Sequence, residues 1–246
     1  MTAAPADMFI SDVHLDEGTV RRARTLLAFF ERHASRAARL FILGDLFNVW
    51  IGRKQMVAPY VREITGALRR LVSTGVEVHF VAGNRDFYGL DVLGQAAGLV
   101  VHKTGFAVDS LGVRTWVCHG HCLYRHDRRT HRAQAVTHSR PVEWLFQNAL
   151  PAKLAMYLAR GYNAHSQRVV RHKSRRMLSI SDEALAELLA EGYEAIVCGH
   201  THRLARLVCR AGGREGHLYN LGAWDDFPHF LRHGPDGWHF HRLADD

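Results

Sequence analysis

Five short apolar runs in this chain each stop at side chains able to bind a metal ion. They are Met8-Phe-Ile-Ser-Asp12-Val-His14, Leu40-Phe-Ile-Leu-Gly-Asp45, Val78-His-Phe-Val-Ala-Gly-Asn84, Trp116-Val-Cys-His119-Gly120 and Ile196-Val-Cys-Gly-His200-Thr-His202. Runs of this length, apolar almost throughout, read as strands covered on both faces. Between them the spacing predicts helices over about 18–34, 57–73 and 182–191; the second carries Val61, Ile64, Leu68 and Leu71 on one stripe. Strands alternating with helices build an α/β sheet, and in such sheets ligand-binding groups collect beyond the carboxyl ends of the strands. All five endings lie there, so the pattern predicts one site assembled from many strand tips.

The later half departs from simple alternation. Residues 99–120 read as three shorter strands, and the stretches 204–210, 217–221 and 238–242, separated by Gly-rich turns, read as hairpins. The core therefore covers 8–124 and 177–243, interrupted by residues 125–176. That segment holds twelve Lys/Arg against two Asp/Glu, so the net charge of +8 resides in it and the rest is slightly acidic. Inside it Trp144, Phe146, Leu150, Leu154, Tyr157 and Leu158 form an apolar stripe beside the cations, as expected of an amphipathic helical hairpin. A helix merely solvated on its basic face fits the same pattern.

No apolar run approaches the roughly 20 residues needed to span a bilayer, and Met1–Asp7 lacks the basic start and apolar core of a secretory signal. The expectation is a cytoplasmic protein with reduced thiols. Its four cysteines form no CxxC pair, and Cys118 and Cys198 sit inside strands as small hydrophobes. With eighteen histidines in 246 residues, abundance selects no ligand; position must.

Position selects Asp12, His14, Asp45, Asn84, His119, His200 and His202. A mixed oxygen and nitrogen set suits Mn²⁺, Fe²⁺, Zn²⁺ or Co²⁺ better than Ca²⁺. Seven ligands exceed the need of one ion, whereas two ions sharing a carboxylate use them all. Asp45, central in the series, is the expected bridge. Two ions about 4 Å apart can acidify a shared water and clamp the attacking and leaving oxygens at phosphorus. Singly, an Asp-x-His or His-x-His is more often a cap or a surface pair, and a Gly-Asn-x-Asp a turn. All five would have to be so at once.

Asp12-x-His14, Gly44-Asp45, Gly83-Asn84-Arg85-Asp86, His119-Gly120 and Gly199-His200-Thr201-His202, in this order, resemble the calcineurin-like metallophosphoesterase superfamily. Gly44-Asp45-Leu46-Phe47-Asn48-Val49-Trp50-Ile51-Gly52, Gly83-Asn84-Arg85-Asp86-Phe87, Gly199-His200-Thr201-His202-Arg203 and Leu221-Gly222-Ala223-Trp224 resemble its UDP-2,3-diacylglucosamine hydrolase family of lipid A biosynthesis. The resemblance spans about residues 8–243. It implies an α/β/β/α sandwich with an inserted helical cap. It implies one ion held by Asp12, His14, Asp45 and His202, another by Asp45, Asn84, His119 and His200, and Mn²⁺ as the metal. It also implies attack of activated water on the α-phosphate, releasing UMP and 2,3-diacylglucosamine 1-phosphate. Asp45, Asn84 and Arg85 would be the catalytic groups. Asp127, Asn163, Ser166, Arg168 and Lys173, with Arg85, would touch a nucleotide-linked glycolipid at the cytoplasmic surface of the inner membrane, to which the protein binds peripherally. No nucleic acid and no obligate protein partner is expected.

Arg85 stands where many superfamily members have histidine to protonate an alkoxide. A phosphate monoester leaving group is already a weak base, so a fixed guanidinium bearing on two linked phosphates contributes more than an acid. One motif departs from the hydrolase family: His119-Gly120-His121 replaces His-Gly-Asp, and His126 replaces the first of two later aspartates, with Asp127 alignable to the second. His121 reads equally as a support for a metal ligand or as a surface residue. The departures keep a different phosphodiester open as substrate, and the basic excess keeps a nuclease open, although its cations lie among leucines and tryptophan rather than along a polar groove. A non-catalytic scaffold does not account for the complete ligand set.

Overall fold

The computed structural model describes residues 6–124, 135–171, 180–225 and 227–243, with side chains described up to residue 165 in the second of these stretches. Two sheets lie face to face. In the first, β1 (Asp7–Ile10), β2 (Arg39–Ile42), β3 (Glu77–Val81) and β4 (Val100–His102) run parallel, while β10 (His229–Gly234) is antiparallel to β1 and to β11 (Gly237–Arg242). Its six strands lie in the order β11-β10-β1-β2-β3-β4. The second is built from β5 (Phe106–Ser110), β6 (Val113–Val117), β7 (Ala195–Cys198), β8 (Leu204–Ala211) and β9 (Arg214–Leu221), in the order β5-β6-β7-β9-β8.

Side chains alternate across each strand and so fill two cores at once. In the first sheet Phe9, Phe41 and Val81 face the second sheet, meeting Val117, Val197, Tyr219 and Leu221. Their neighbours Met8, Ile10, Leu40, Ile42, Val78 and Phe80 face outward. There they are covered by α1 (Val20–Arg32), α2 (Pro59–Ser73) and α3 (Leu90–Ala97). Pro59 at the start of α2 occupies the turn where its missing N–H costs nothing. The helix later in the chain, Asp182–Ala190, begins where the Ser181 hydroxyl accepts the Ala184 N–H at 3.3 Å. It packs Leu188 and Leu189 on the outer face of the second sheet. The result is the α/β/β/α sandwich.

One element differs from the sequence expectation and one refines it. The first strand ends at Ile10, and Asp12 and His14 follow it in left-handed backbone conformations, φ 52° and 54°, as the strand-then-Asp-Val-His pattern anticipates. The helix Leu90–Ala97 is not announced by the sequence pattern: eight residues bounded by left-handed Gly89 and Gly98 carry too short a stripe to register.

Between the sheets a histidine pair replaces the usual aliphatic filling. His79 Nδ1 lies 3.0 Å from His102 Nε2, with His79 stacked on Phe41 at 4.9 Å and His102 on Phe106 at 3.6 Å. Burial lowers the pKa of both from 6.5, reinforced at His79 by the charges of His102 and Arg39 against the opposing Glu77. Folded pKa values depressed below the unfolded value mean that the unfolded chain takes up protons first, so stability is intact above about pH 6.5 and falls as pH drops through the folded values. Urea midpoints measured from pH 7.5 to 5 are expected to decline in the native chain, and to decline less steeply in His79→Leu.

Candidate metal centre

The strand tips meet because their loops travel together past the sheet edge. Asp12 N–H donates to the Gly44 carbonyl at 3.2 Å, His14 N–H to Asp45 at 3.0 Å, Leu15 N–H to Leu46 at 2.9 Å and Trp50 N–H to Arg85 at 3.0 Å. The first two loops, and the second and third, are thus tied as short continuations of β1, β2 and β3. From the other sheet, Gly199 N–H donates to the His119 carbonyl at 2.8 Å, and His200 N–H to Asp12 Oδ2 at 2.9 Å. Among the described residues, five of the six non-glycine positions with left-handed backbone are Asp12, His14, Asp45, His200 and His202. Strain of this kind persists only where the surroundings over-determine it, and here it aims predicted ligands inward.

Glycine makes the approach possible. A Cβ on Gly83 would overlap the Asp45 carboxylate, and one on Gly199 would overlap Ser11 Oγ and the Asp12 carboxylate. Gly199→Ala is therefore expected to displace Asp12 and to cost about 1–3 kcal/mol of stability, the scale of overpacking. Urea unfolding in the presence of a chelator measures this directly.

The donor atoms converge. His14 Nε2 lies 3.6 Å from both Asp12 Oδ1 and Asp45 Oδ2, and His202 Nε2 lies 3.4 Å from Asp12 Oδ1. His119 Nε2 is 3.7 Å from Asp45 Oδ2 and 2.9 Å from Asn84 Oδ1, which is also 2.7 Å from His200 Nδ1. The other nitrogen of His119, Nδ1, faces the Leu43 carbonyl at 2.8 Å and donates to it, leaving Nε2 bare. Asp45 Oδ2 thus stands between the His14 and His119 rings. All seven predicted residues are brought together, and two triads, Asp12–His14–His202 and Asp12–Asp45–His119, have donor atoms within 4.8 Å of one another.

Buried Asp12 Oδ1 and His14 Nε2 have no hydrogen-bond partner among the described residues. Burial pushes the Asp12 carboxyl up, but His119, His202 and His14 outweigh it and bring it down to about 2. For Asp45 the same burial is overcome by His119, His14 and Arg85, which hold it well below the usual carboxylate range. Burial, reinforced by the neighbouring His119 and His121 rings, keeps His200 far below its ordinary value, and hence neutral. Ionised carboxylates, neutral imidazole and unpaired buried lone pairs on one small volume fit a divalent cation.

Around this centre lies a shell that sequence reading does not assign. Asp86 Oδ2 accepts the Asp45 N–H at 3.0 Å and the Gly83 N–H at 2.8 Å, stapling the second loop to the third. Burial, with the Asp45 charge, raises its carboxyl to about 7. Asn48 Oδ1 accepts from Arg85 Nη1 at 2.8 Å, while Arg85 Nε faces Asp45 Oδ2 at 3.2 Å, so a buried guanidinium is fixed at the rim. Asp225, next to Trp224, lies 3.6 Å from His14 Nδ1. In the sequence Asn48 and Asp86 are marked only by their place in the 44–52 and 83–87 motifs.

Of the residues expected to touch substrate, Asn163 lies on the helix Ala152–Arg171, is buried, and donates to the Asn48 carbonyl and Oδ1 at 3.1 and 3.2 Å. Its amide is thus directed to the holder of Arg85. Ser166 and Arg168 lie further along that helix, where side chains are not described; Asp127 and Lys173, like His126, fall outside the described residues. The apolar stripe of the insertion divides in two. Phe146 and Leu150, with Ala155, Ala159 and Tyr162, pack on Val49, Ile51, Phe87 and Tyr88 of the core. Trp144, Leu154, Tyr157 and Leu158 are exposed, Trp144 by 63% and Tyr157 by 73%. Periodicity predicts one stripe, but a helix between core and solvent presents apolar groups on two sides. No helix among the described residues is long and apolar enough to cross a membrane.

The profile of the calcineurin-like phosphoesterases matches residues 8–204. Three curated relatives, each a UDP-2,3-diacylglucosamine hydrolase, align along nearly the whole chain. That of Nitrosococcus oceani is 34% identical, covering 96% of this chain and 94% of the relative. That of Edwardsiella ictaluri is 31% identical, covering 97% and 92%, and that of Azotobacter vinelandii is 31% identical, covering 94% and 96%. Donor side chains converging from five strand tips and an alignment spanning both sheets have one common reading: the chain belongs to the calcineurin-like phosphoesterase family.

Proposed function

We propose that this protein hydrolyses the pyrophosphate of UDP-2,3-diacylglucosamine, with water adding at the α-phosphorus. The bridging P–O bond breaks, its electrons leave on the lipid phosphate, and UMP and 2,3-diacylglucosamine 1-phosphate result. The observation carrying this reading is the buried Arg85 guanidinium beside the Asp45 carboxylate at the edge of the seven-ligand cluster. It is supported by relatives of that name, aligned over more than nine-tenths of the chain.

Asp12, His14, Asp45 and His202 would hold one divalent ion, and Asp45, Asn84, His119 and His200 a second, with Mn²⁺ as the proposed metal. When bound, such a pair acidifies water and neutralises charge building at phosphorus. The residues themselves do the positioning. Asp12 and Asp45 stay ionised at neutral pH, as their lowered pKa values require. Arg85, held by Asn48, offers a fixed positive charge to the two linked phosphates and thereby favours a leaving group that departs without a proton.

Residues 125–176 serve in this reading as a cap. Exposed Trp144, Leu154, Tyr157 and Leu158 offer apolar surface to acyl chains, and the basic residues of the segment meet phosphates and anionic headgroups at the inner membrane's cytoplasmic face. Asn163 ties the helix to Asn48 and so to Arg85.

Supplying UDP-2,3-diacylglucosamine in detergent with Mn²⁺ tests the proposal: UMP release that a chelator abolishes and Mn²⁺ restores is expected. Absence of UMP with turnover of a simple phosphodiester would favour a second reading, a phosphodiesterase of other specificity. The observation behind that alternative is His121, whose ring lies 5.6 Å from His119 and 6.2 Å from His200 where the hydrolases have a carboxylate.

A further inference from the structure

Asp12-Val13-His14 is gripped from behind by three residues outside the ligand set, Trp224, Asp225 and Arg22. Trp224 N–H donates to the Asp12 carbonyl at 3.1 Å, which brings Asp225 alongside. Asp225 Oδ2 then lies 3.6 Å from His14 Nδ1 and 3.7 Å from His202 Nδ1. Its other oxygen, Oδ1, is paired with Arg22 Nη2 at 2.9 Å. Through Nη1 the same arginine donates to the carbonyls of Val13 at 3.0 Å and His14 at 3.3 Å. One carboxylate oxygen therefore faces the Nδ1 atoms of two rings whose centroids are 4.8 Å apart, while both Nε2 atoms point the other way, at Asp12 Oδ1.

We infer that Asp225, anchored by Arg22, is a positioning residue that keeps the proton of both His14 and His202 on Nδ1 and leaves both Nε2 lone pairs free for a cation. A neutral imidazole ligates through the nitrogen without hydrogen, and what faces the other nitrogen decides which one that is. A single carboxylate placed between two rings decides it for both. The inference rests on the metal-site reading above and adds the group that prepares two of its ligands. His200 and His119 lie outside its reach; the Leu43 carbonyl sets His119.

The test has two independent arms on the full chain. In chelator-treated protein, long-range ¹H–¹⁵N spectra of the imidazoles are expected to show Nδ1–H tautomers for His14 and His202 in the native chain and in Asp225→Glu. A shift toward Nε2–H is expected in Asp225→Ala, with His119 unmoved in all three. Calorimetric titration with Mn²⁺ alone is expected to show affinity for one of two ions weakened about 10–100-fold in Asp225→Ala, the scale for losing an outer partner of a metal-bound histidine, and restored in Asp225→Glu. Native Nε2–H tautomers, or unchanged Mn²⁺ affinity in Asp225→Ala, overturn the inference. Failure of the native chain to take up any Mn²⁺ would defeat the metal reading instead, with the tautomer spectra still deciding the role of Asp225. Should Asp225→Ala not fold, the near-isosteric Asp225→Asn provides the same comparison, expected to lose tautomer order at His14, His202 or both; native spectra and affinity in it overturn the inference.

Discussion

Asp45→Asn is expected to lower turnover about a thousandfold or more, the effect of losing several kcal/mol of charge stabilisation in the transition state. The substitution keeps shape and changes charge. The carbonyl oxygen of the introduced amide could still accept the Arg85 backbone N–H that Asp45 Oδ1 accepts at 2.9 Å. That choice turns the amide NH₂ toward the position of Oδ2, opposite His14 Nε2, His119 Nε2 and Arg85 Nε, where a donor meets positive or metal-directed neighbours. Asp45 Oδ2 stands 3.6 Å from His14 Nε2 and 3.7 Å from His119 Nε2, so the loss should fall on both proposed ions. Metal content by mass spectrometry is expected to drop from two Mn²⁺ per chain to one or none. The thermal midpoint in chelator should fall, because the carboxylate that His119, His14 and Arg85 stabilise is lost and the buried guanidinium is left without its charge partner. Full activity with two ions still bound would remove Asp45 from its bridging position.

The strand endings were legible because the physics behind them is short-range: an apolar run predicts a covered strand, and the α/β arrangement predicts where its tip points. That suffices to gather Asp12, Asp45, Asn84 and His119 from sequence alone. Asp225 was not legible, for the opposite reason. It contacts His14 from more than two hundred positions away, and that proximity exists only because β10 pairs with β1 and draws the preceding loop over the first one. Asn48 illustrates an intermediate case: its motif was visible, but its hold on Arg85 depends on the third loop lying beside the second. Asn163 shows how a resemblance transfers a position without its partner. The residue lies on a helix as expected, yet its amide is directed to Asn48. The division of the insertion's apolar stripe was likewise invisible, since periodicity shows that a face is apolar and not which of two surfaces it meets.

Arg85→His is expected to reduce kcat/KM on a nucleotide diphosphate ester about 100- to 1,000-fold, the scale of removing one preorganised charge from a transition state. On a simple phosphodiester with a good leaving group the same change should cost less than about tenfold, because a single phosphate makes smaller use of a second fixed cation. The geometry supplies the reason. The guanidinium spans Asp45 Oδ2 with Nε and Asn48 Oδ1 with Nη1, and a shorter imidazole cannot bridge both or keep its charge near pH 7. Asn48→Ala, which leaves the arginine in place but removes its holder, is expected to show a weaker form of the same discrimination. If the role lay in general acid catalysis, histidine would preserve the rate and introduce an alkaline limb in the pH profile. If it lay in the fold alone, both substrates would lose activity together. Only selective loss on the diphosphate places Arg85 at the leaving phosphate, where a guanidinium serves without giving up a proton.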